Sequence, residues 1–122
     1  MKCHCESGRV FFDCCGRYLS GMAAPDATSL MKSRYTAYVL GNGRYLLDTW
    51  HPETRPERIE FEEGIKWLGL SVKRSESIDP EHATVEFVAR FRIHGKGQRL
   101  HEKSRFVRID GRWLYLDGEI FD

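Results

Sequence analysis

The stretch Ala83-Thr84-Val85-Glu86-Phe87-Val88-Ala89-Arg90-Phe91-Arg92-Ile93 decides the fold of this 122-residue chain. Apolar and polar residues alternate along it, which is the pattern of a β-strand with one buried face and one face in water. The face predicted to be buried carries Val85, Phe87, Ala89, Phe91 and Ile93. The same two-residue period predicts three further strands, over residues 66–75, 100–109 and 113–116.

The residues that precede these strands are predicted to be helical. A helix begins at Asp26 or Thr28, either of which can cap it, and it stops at Gly41-Asn42-Gly43. A second, short helix covers residues 44–49 and ends at His51-Pro52, because the residue before a proline disfavours helical backbone.

Two further features complete the predicted fold. A third helical turn is predicted over residues 56–64, where a proline is followed by several acids. The pair Asp110-Gly111 predicts a two-residue hairpin turn between the last two strands. Helices followed by an antiparallel sheet define an α+β fold.

The composition is that of a single globular domain. Lysine and arginine number 19 and aspartate and glutamate 18, so the net charge of +1 gives no overall signal for binding a polyanion. No stretch approaches the roughly 20 apolar residues of a membrane helix, and the N-terminus lacks the apolar core of a secretory signal. We therefore expect a cytoplasmic protein that makes no membrane contact.

The four cysteines lie within the first 15 residues, at Cys3, Cys5, Cys14 and Cys15. Clustered cysteines in a reducing compartment favour metal binding over crosslinking. The sequence thus predicts one structural Zn²⁺ per chain, held by four thiolates with no position left for a water molecule. His4 is predicted not to be a ligand. Two alternatives stay open, namely a strained disulfide and free buried thiols.

The spacing of these residues resembles a known zinc-binding pattern, the SEC-C motif. The resemblance is carried by Cys3, Cys5, Ser7, Gly8, Phe11, Cys14, Cys15 and Gly16. His4 and Glu6 depart from the motif, which usually has proline and glycine at those positions. Neither departure removes a ligand, and Ser7-Gly8 is predicted to form the turn that brings the cysteine pairs together.

Segments further along the chain, at residues 30–38, 45–51 and 101–106, are similar to the YchJ family, and the similarity extends over nearly the whole chain. This resemblance implies a nuclear transport factor 2-like (NTF2-like, or cystatin-like) cone, in which a curved antiparallel sheet wraps a long helix. The predicted organisation is a zinc knuckle over residues 1–21 and a cone domain over residues 22–122. The resemblance implies a fold and a metal but no reaction.

A candidate pocket follows from the predicted third strand, where Glu102 shares a face with Leu100 and Phe106 and is therefore expected to point inward. A buried carboxylate needs a cation, and Arg34 is the candidate partner. One interpretation is a structural ion pair. The other is a small-ligand pocket with Glu102 or His51 as a general base, built from Arg34, Tyr35, Trp50, His51, Glu102 and Ser104.

The charge is unevenly distributed between Arg90 and Arg112. This segment has eight basic residues (Arg90, Arg92, Lys96, Arg99, Lys103, Arg105, Arg108 and Arg112) against two acids, Glu102 and Asp110. A solvated surface is the favoured interpretation, and an acidic protein partner or RNA are the alternatives.

A closed thiolate site holds or docks and does not catalyse. The leading hypothesis is therefore a zinc-binding adaptor whose knuckle contacts a protein partner, since SEC-C knuckles act as docking tags. The alternative is a small enzyme or ligand-binding domain with its pocket inside the cone.

Overall fold

The structure is a computed structural model, and it describes residues 1–121. The helices are α1 (Cys15–Leu19), α2 (Ala27–Leu40) and α3 (Gly43–Asp48), and a short 3-10 turn at Phe11–Asp13 precedes them. The strands are β1 (Ile65–Asp79), β2 (His82–Ile93), β3 (Lys96–Ile109) and β4 (Arg112–Phe121). None of the helices in the described part of the chain is long and apolar enough to cross a membrane.

All four strands form one antiparallel sheet in the order β1-β2-β3-β4, with helices packed against it, so the predicted α+β fold is confirmed. The strands are longer than predicted because pairing continues up to the hairpin turns. Asp110 and Gly111 have φ values of 51° and 80°, as the predicted two-residue turn requires. His94 and Gly95 form a second turn of the same kind, with φ values of 49° and 81°.

Helix α2 begins and ends where the sequence predicts. The Asp26 carboxylate accepts a hydrogen bond from the backbone N–H of Ser29 at 2.7 Å, which satisfies one of the free donors of the first turn. Gly41 ends the helix in the left-handed conformation, with a φ of 73°. The helix packs Leu30 and Met31 into the main core, which also contains Val85 and Phe87 of β2.

The predicted strand alternation is confirmed on β2 and β3. Val85, Phe87 and Ala89 are buried on β2, and Phe87 lies opposite Glu102 on β3. Glu102 is itself buried, as its predicted inward orientation requires. The sheet therefore presents a carboxylate to the side that α2 covers.

The prediction of a third helical turn over residues 56–64 is wrong. The chain there runs without helix into β1. Its apolar residues Ile59 and Phe61 are two apart and both approach Gly43, where an added Cβ would lie 3.5 Å from Ile59 and 3.4 Å from Phe61. Phe61 also meets the ring of Tyr38 edge-on at 6.2 Å. This packing holds an extended segment, since residues two apart share a face in extended chain but not in a helix.

Candidate functional site

The four cysteines converge into a compact cluster at the N-terminus. Their Sγ atoms all lie within 4.8 Å of one another, and those of Cys5 and Cys14 are 3.5 Å apart. Tetrahedral zinc with thiolates at about 2.3 Å places the sulfurs about 3.8 Å from each other. All four side chains are buried, and His4 is not in the group. The donor set therefore fits one four-coordinate metal ion.

Local backbone geometry brings the two cysteine pairs together. Gly8 has a φ of 84°, and the Ser7 hydroxyl lies 3.1 Å from the Cys14 sulfur, so the predicted Ser7-Gly8 turn is confirmed. The chain reverses at Cys14, directly before α1. Gly16 lies against Phe11, where an added Cβ would be 2.7 Å from the Phe11 carbonyl oxygen. Gly16 is thus needed for close packing and not for a left-handed backbone.

The cluster favours an ionised thiol at one position. Hydrogen bonding from Cys15, with further hydrogen bonds from Ser7, lowers the pKa of Cys5 to about 4 despite the burial of its side chain. The pKa of Cys15 is raised, because its proton is engaged with Cys5 and because it is buried. A thiolate is the form of cysteine that binds metal ions.

Two contacts fix the cluster to the rest of the fold. The Cys3 sulfur lies 3.7 Å from the hydroxyl of Thr36, a fully buried residue of α2. The Glu6 carboxylate accepts a hydrogen bond from the backbone N–H of Leu70 on β1 at 2.5 Å. Glu6 has a φ of 66°, which accounts for the glycine that the SEC-C motif usually has at this position. The knuckle is therefore attached to both α2 and the sheet.

A cavity of about 220 Å³ lies between α2 and the sheet. Much of its wall is aromatic, contributed by Tyr35, Tyr38, Trp50, Trp67, Phe87, Phe106 and Tyr115. Five of the six residues predicted to build a pocket lie on this wall, namely Arg34, Tyr35, Trp50, Glu102 and Ser104. The structure thus brings these five together around one cavity.

His51 is the predicted pocket residue that does not line the cavity. Its backbone N–H donates to the carbonyl of Tyr115 at 2.8 Å, and its ring Nδ1 accepts from the backbone N–H of Glu53 at 3.0 Å. These bonds engage His51 in the loop after α3, while its neighbour Trp50 turns to the cavity. The arrangement gives no support to His51 as a base in this space.

The Arg34 guanidinium is held by neutral partners. Its Nη1 donates to the Leu46 carbonyl at 2.8 Å and to the Thr49 hydroxyl at 2.7 Å. The rings of Trp50 and Tyr115 contact it at centroid distances of 5.0 and 4.7 Å, within cation–π range. Burial lowers the pKa of Arg34 from its usual value. The cation is therefore stabilised mainly by carbonyl, hydroxyl and ring contacts.

Glu102 also lacks the partner that the sequence predicts, since it forms no ion pair with Arg34. Its Oε2 accepts hydrogen bonds from the Ser104 hydroxyl at 2.6 Å and the Tyr115 hydroxyl at 3.0 Å. Burial, and then the charge of Glu102, raise the pKa of Tyr115, so this phenol stays protonated as a donor. The prediction of a direct ion pair is wrong, because nearby hydroxyls satisfy the carboxylate first.

Trp113 belongs to the buried core, whereas Trp67 and Tyr115 pack against that core and also line the cavity. Sequence reasoning missed Gly118 entirely. An added Cβ there would overlap the Glu102 carboxylate, so this glycine makes room for it. The available signal was a glycine inside a strand, which often marks a close approach.

The excess of positive charge between Arg90 and Arg112 is partly offset in the folded protein by an acid from outside this segment. Arg105 forms two hydrogen bonds to Asp117, at 2.6 and 2.5 Å, across the β3–β4 pair. One of the eight basic side chains thus meets an acid that comes from a neighbouring strand and lies outside the segment. A protein or RNA partner for this surface stays a prediction.

Fold and site together define an NTF2-like domain that carries an N-terminal cluster of four cysteines. A family model described as "YchJ, middle NTF2-like domain" matches residues 26–118. A UPF0225 protein of Bordetella pertussis is 54% identical over 122 residues, covering 97% of this chain and 92% of that protein. One from Polaromonas naphthalenivorans is 55% identical over 112 residues, covering 91% and 82%. The chain belongs to the YchJ-like UPF0225 family.

Two solved structures share the whole architecture. The solution structure of a SEC-C motif containing protein from Rhodopseudomonas palustris matches with a TM-score of 0.89 and 38% identity, over 100% of both chains. The crystal structure of a SEC-C motif containing protein from Psychrobacter arcticus matches with a TM-score of 0.81 and 26% identity, covering 98% of this chain and 82% of that one. The resemblance inferred from the sequence, to a YchJ-like protein with a SEC-C motif, is confirmed.

Proposed function

We propose that this protein is a zinc-stabilised ligand-binding domain, in which the cysteine cluster holds one structural Zn²⁺ and the cavity binds a small molecule. The observation that carries the proposal is the cavity itself, with two oppositely charged side chains on its wall that do not pair. Arg34 is 6% exposed and Glu102 is 9% exposed. A cytoplasmic location is part of the proposal, because cysteines grouped as metal donors suit a reducing compartment.

The chemistry of the donors supports zinc. Four thiolates in a tetrahedron select zinc or iron among the common metals, and a site in which all four positions are cysteines leaves no room for substrate. The metal would therefore stabilise the knuckle and its contacts with Thr36 and Leu70 without entering a reaction.

The size and wall of the cavity support a ligand. An engineered apolar cavity of about 150 Å³ binds benzene, and this one has about 220 Å³. Burying two charges without joining them is unfavourable for stability, since each loses water without gaining the other as partner. A structural ion pair therefore explains the site less well than a ligand does. A catalytic form of this function would use Glu102 as its base.

Two measurements on the purified full chain test the proposal. Native mass spectrometry should find about one zinc per chain, and another metal or none would contradict the cofactor assignment. A protein-observed NMR screen of small aromatic and aliphatic compounds should find binders that shift the indole signals of Trp50 and Trp67. A screen without any such binder would contradict the ligand-binding function.

A second candidate function is the adaptor, and a specific observation favours it. The knuckle exposes apolar side chains, among them Phe12 at 80% and Val10 at 47% exposure. A docking knuckle would use them to contact a protein partner. A Phe12→Ser protein that keeps its metal but loses a partner held by the wild type would support this function. An identical set of partners for both proteins would contradict it.

A further inference from the structure

The polar side chains on the cavity wall indicate what kind of ligand the cavity would bind. We infer that the ligand is a neutral molecule with an aromatic or aliphatic body and a head group, of the carboxamide kind, that both accepts and donates hydrogen bonds. This inference rests on the proposed ligand-binding function of the cavity and specifies the chemical class of its ligand.

Arg34 supplies unused donors. A guanidinium has five N–H donors, and both hydrogen bonds that Arg34 makes within residues 1–121 leave from Nη1. Its Nε and Nη2 have no partner there, yet they are not sealed off. In the described part of the chain, the buried side-chain atom that has neither exposure nor a hydrogen-bond partner is Trp50 Nε1, and the two Arg34 atoms are not of this kind. The free Arg34 donors are therefore accessible, and Arg34 is one of the residues that line the cavity.

Glu102 supplies an unused acceptor by the same reasoning. Both of its hydrogen bonds within the described chain are accepted by Oε2, from Ser104 and Tyr115. Oε1 has no partner there, and it is not among the enclosed unpartnered atoms. A carboxylate oxygen on the cavity wall is thus available to accept a hydrogen bond from a ligand.

The charges of Arg34 and Glu102 together indicate the net charge of the ligand. No Arg34 nitrogen lies within 4.0 Å of a Glu102 oxygen, so both charges face the same space unjoined and sum to zero. An anionic ligand would satisfy Arg34 but leave Glu102 beside a like charge, and a cation would do the reverse. A neutral head with one acceptor and one donor satisfies both groups. The aromatic wall accounts for the body of the molecule.

A matched set of four probes tests this class on the metal-loaded full chain. The probes share a phenyl ring and differ in the head: phenylacetamide is neutral with donor and acceptor, phenylacetate is an anion, phenethylamine is a cation, and ethylbenzene has no polar head. We expect phenylacetamide to bind at least about tenfold more tightly than each of the others by NMR titration, since a tenfold ratio needs only about 1.4 kcal/mol.

Each result has one meaning. Equal or tighter binding of the acid, the amine or ethylbenzene overturns the inferred class while the cavity remains a ligand site. If none of the four binds up to the millimolar range, the inferred class is overturned, and if the broader screen is also empty, the proposed function fails as well. The two failures are therefore distinguishable.

Glu102→Gln provides the decisive variant, because it removes the negative charge and keeps the shape. We expect the preference to reverse, with phenylacetate binding more tightly than phenylacetamide, and an unchanged preference overturns the inference. If that variant does not fold, Ser104→Ala serves in its place. It removes a donor that offsets the carboxylate charge, so the acid should bind still more weakly relative to the amide. A ratio that is unchanged or improved for the acid overturns the inference.

Discussion

The cysteine cluster and the cavity are two buried polar regions of one small fold, and they satisfy their polar groups in opposite ways. The cluster directs four identical soft donors to one point, within 4.8 Å of one another. The cavity holds a cation and an anion on its wall and gives each neutral partners. A metal ion would satisfy all four sulfur donors of the cluster without a ligand from outside the chain. The cavity keeps free donors and acceptors, as its proposed ligand-binding role requires.

The largest expected effect concerns the cluster. Cys15 is 1% exposed, and Cys15→Ser should abolish metal binding and destabilise the knuckle by several kcal/mol, because a structural zinc site contributes directly to folding. Metal content and thermal unfolding measure both effects. His4→Ala is the control and should keep its metal. A serine variant that retains a full complement of metal would show that the four cysteines do not form the site.

The next effect concerns the cavity. Gly118→Ala should cost about 1–3 kcal/mol, because its Cβ overlaps the Glu102 carboxylate and overpacking has costs of that size. It should also weaken probe binding by displacing that carboxylate. Gly97→Ala is the matched control in a strand, since an added Cβ there meets nothing within 4 Å. Denaturant unfolding compares the two, and equal costs would mean that Gly118 has no special role.

A third variant tests whether the knuckle is fixed to the sheet. Glu6→Ala removes the hydrogen bond to the Leu70 N–H, and bonds to charged groups contribute about 1.5–3 kcal/mol. Hydrogen exchange at the Leu70 amide should accelerate. Glu6→Gln keeps an acceptor oxygen and should retain most of the protection. If the alanine variant protects Leu70 as well as the wild type does, the contact does not fix the knuckle to the sheet.

The smallest effect on stability is expected at Asp117, whose carboxylate is exposed whereas that of Glu102 is buried. Hydrogen bonding from Arg105 lowers the pKa of Asp117 in the folded protein. Its contribution is therefore present above the unfolded pKa of about 4 and is lost as the pH falls through the lower folded value. Asp117→Asn should cost no more than about 1 kcal/mol at neutral pH, because exposed pairs are screened by water. Urea unfolding at neutral and acidic pH measures this, and a cost that persists in acid would contradict it.

Residue patterns predicted those parts of the fold that depend on neighbours along the chain. The Asp26 cap, the Gly41 stop and the inward orientation of Glu102 are all confirmed. The segment 56–64 was wrongly predicted because its proline and acids favour a helical start, whereas Ile59 and Phe61 pack against Gly43 as an extended chain. Tertiary packing overrides a weak local preference in such a segment.

The sequence by itself determined the cysteine donor set, because all four ligands lie within 13 residues and a single turn at Ser7-Gly8 brings them together. It also determined the two charges of the cavity, since the strand period and the helical stripe place them inward. Only the tertiary structure decided that Arg34 and Glu102 do not pair. That outcome depends on α3 bringing Leu46 and Thr49 to the guanidinium, and on the register shift in β4 that places Gly118 beside Glu102. Such contacts join residues far apart in the chain, and only the packing of whole elements brings them together.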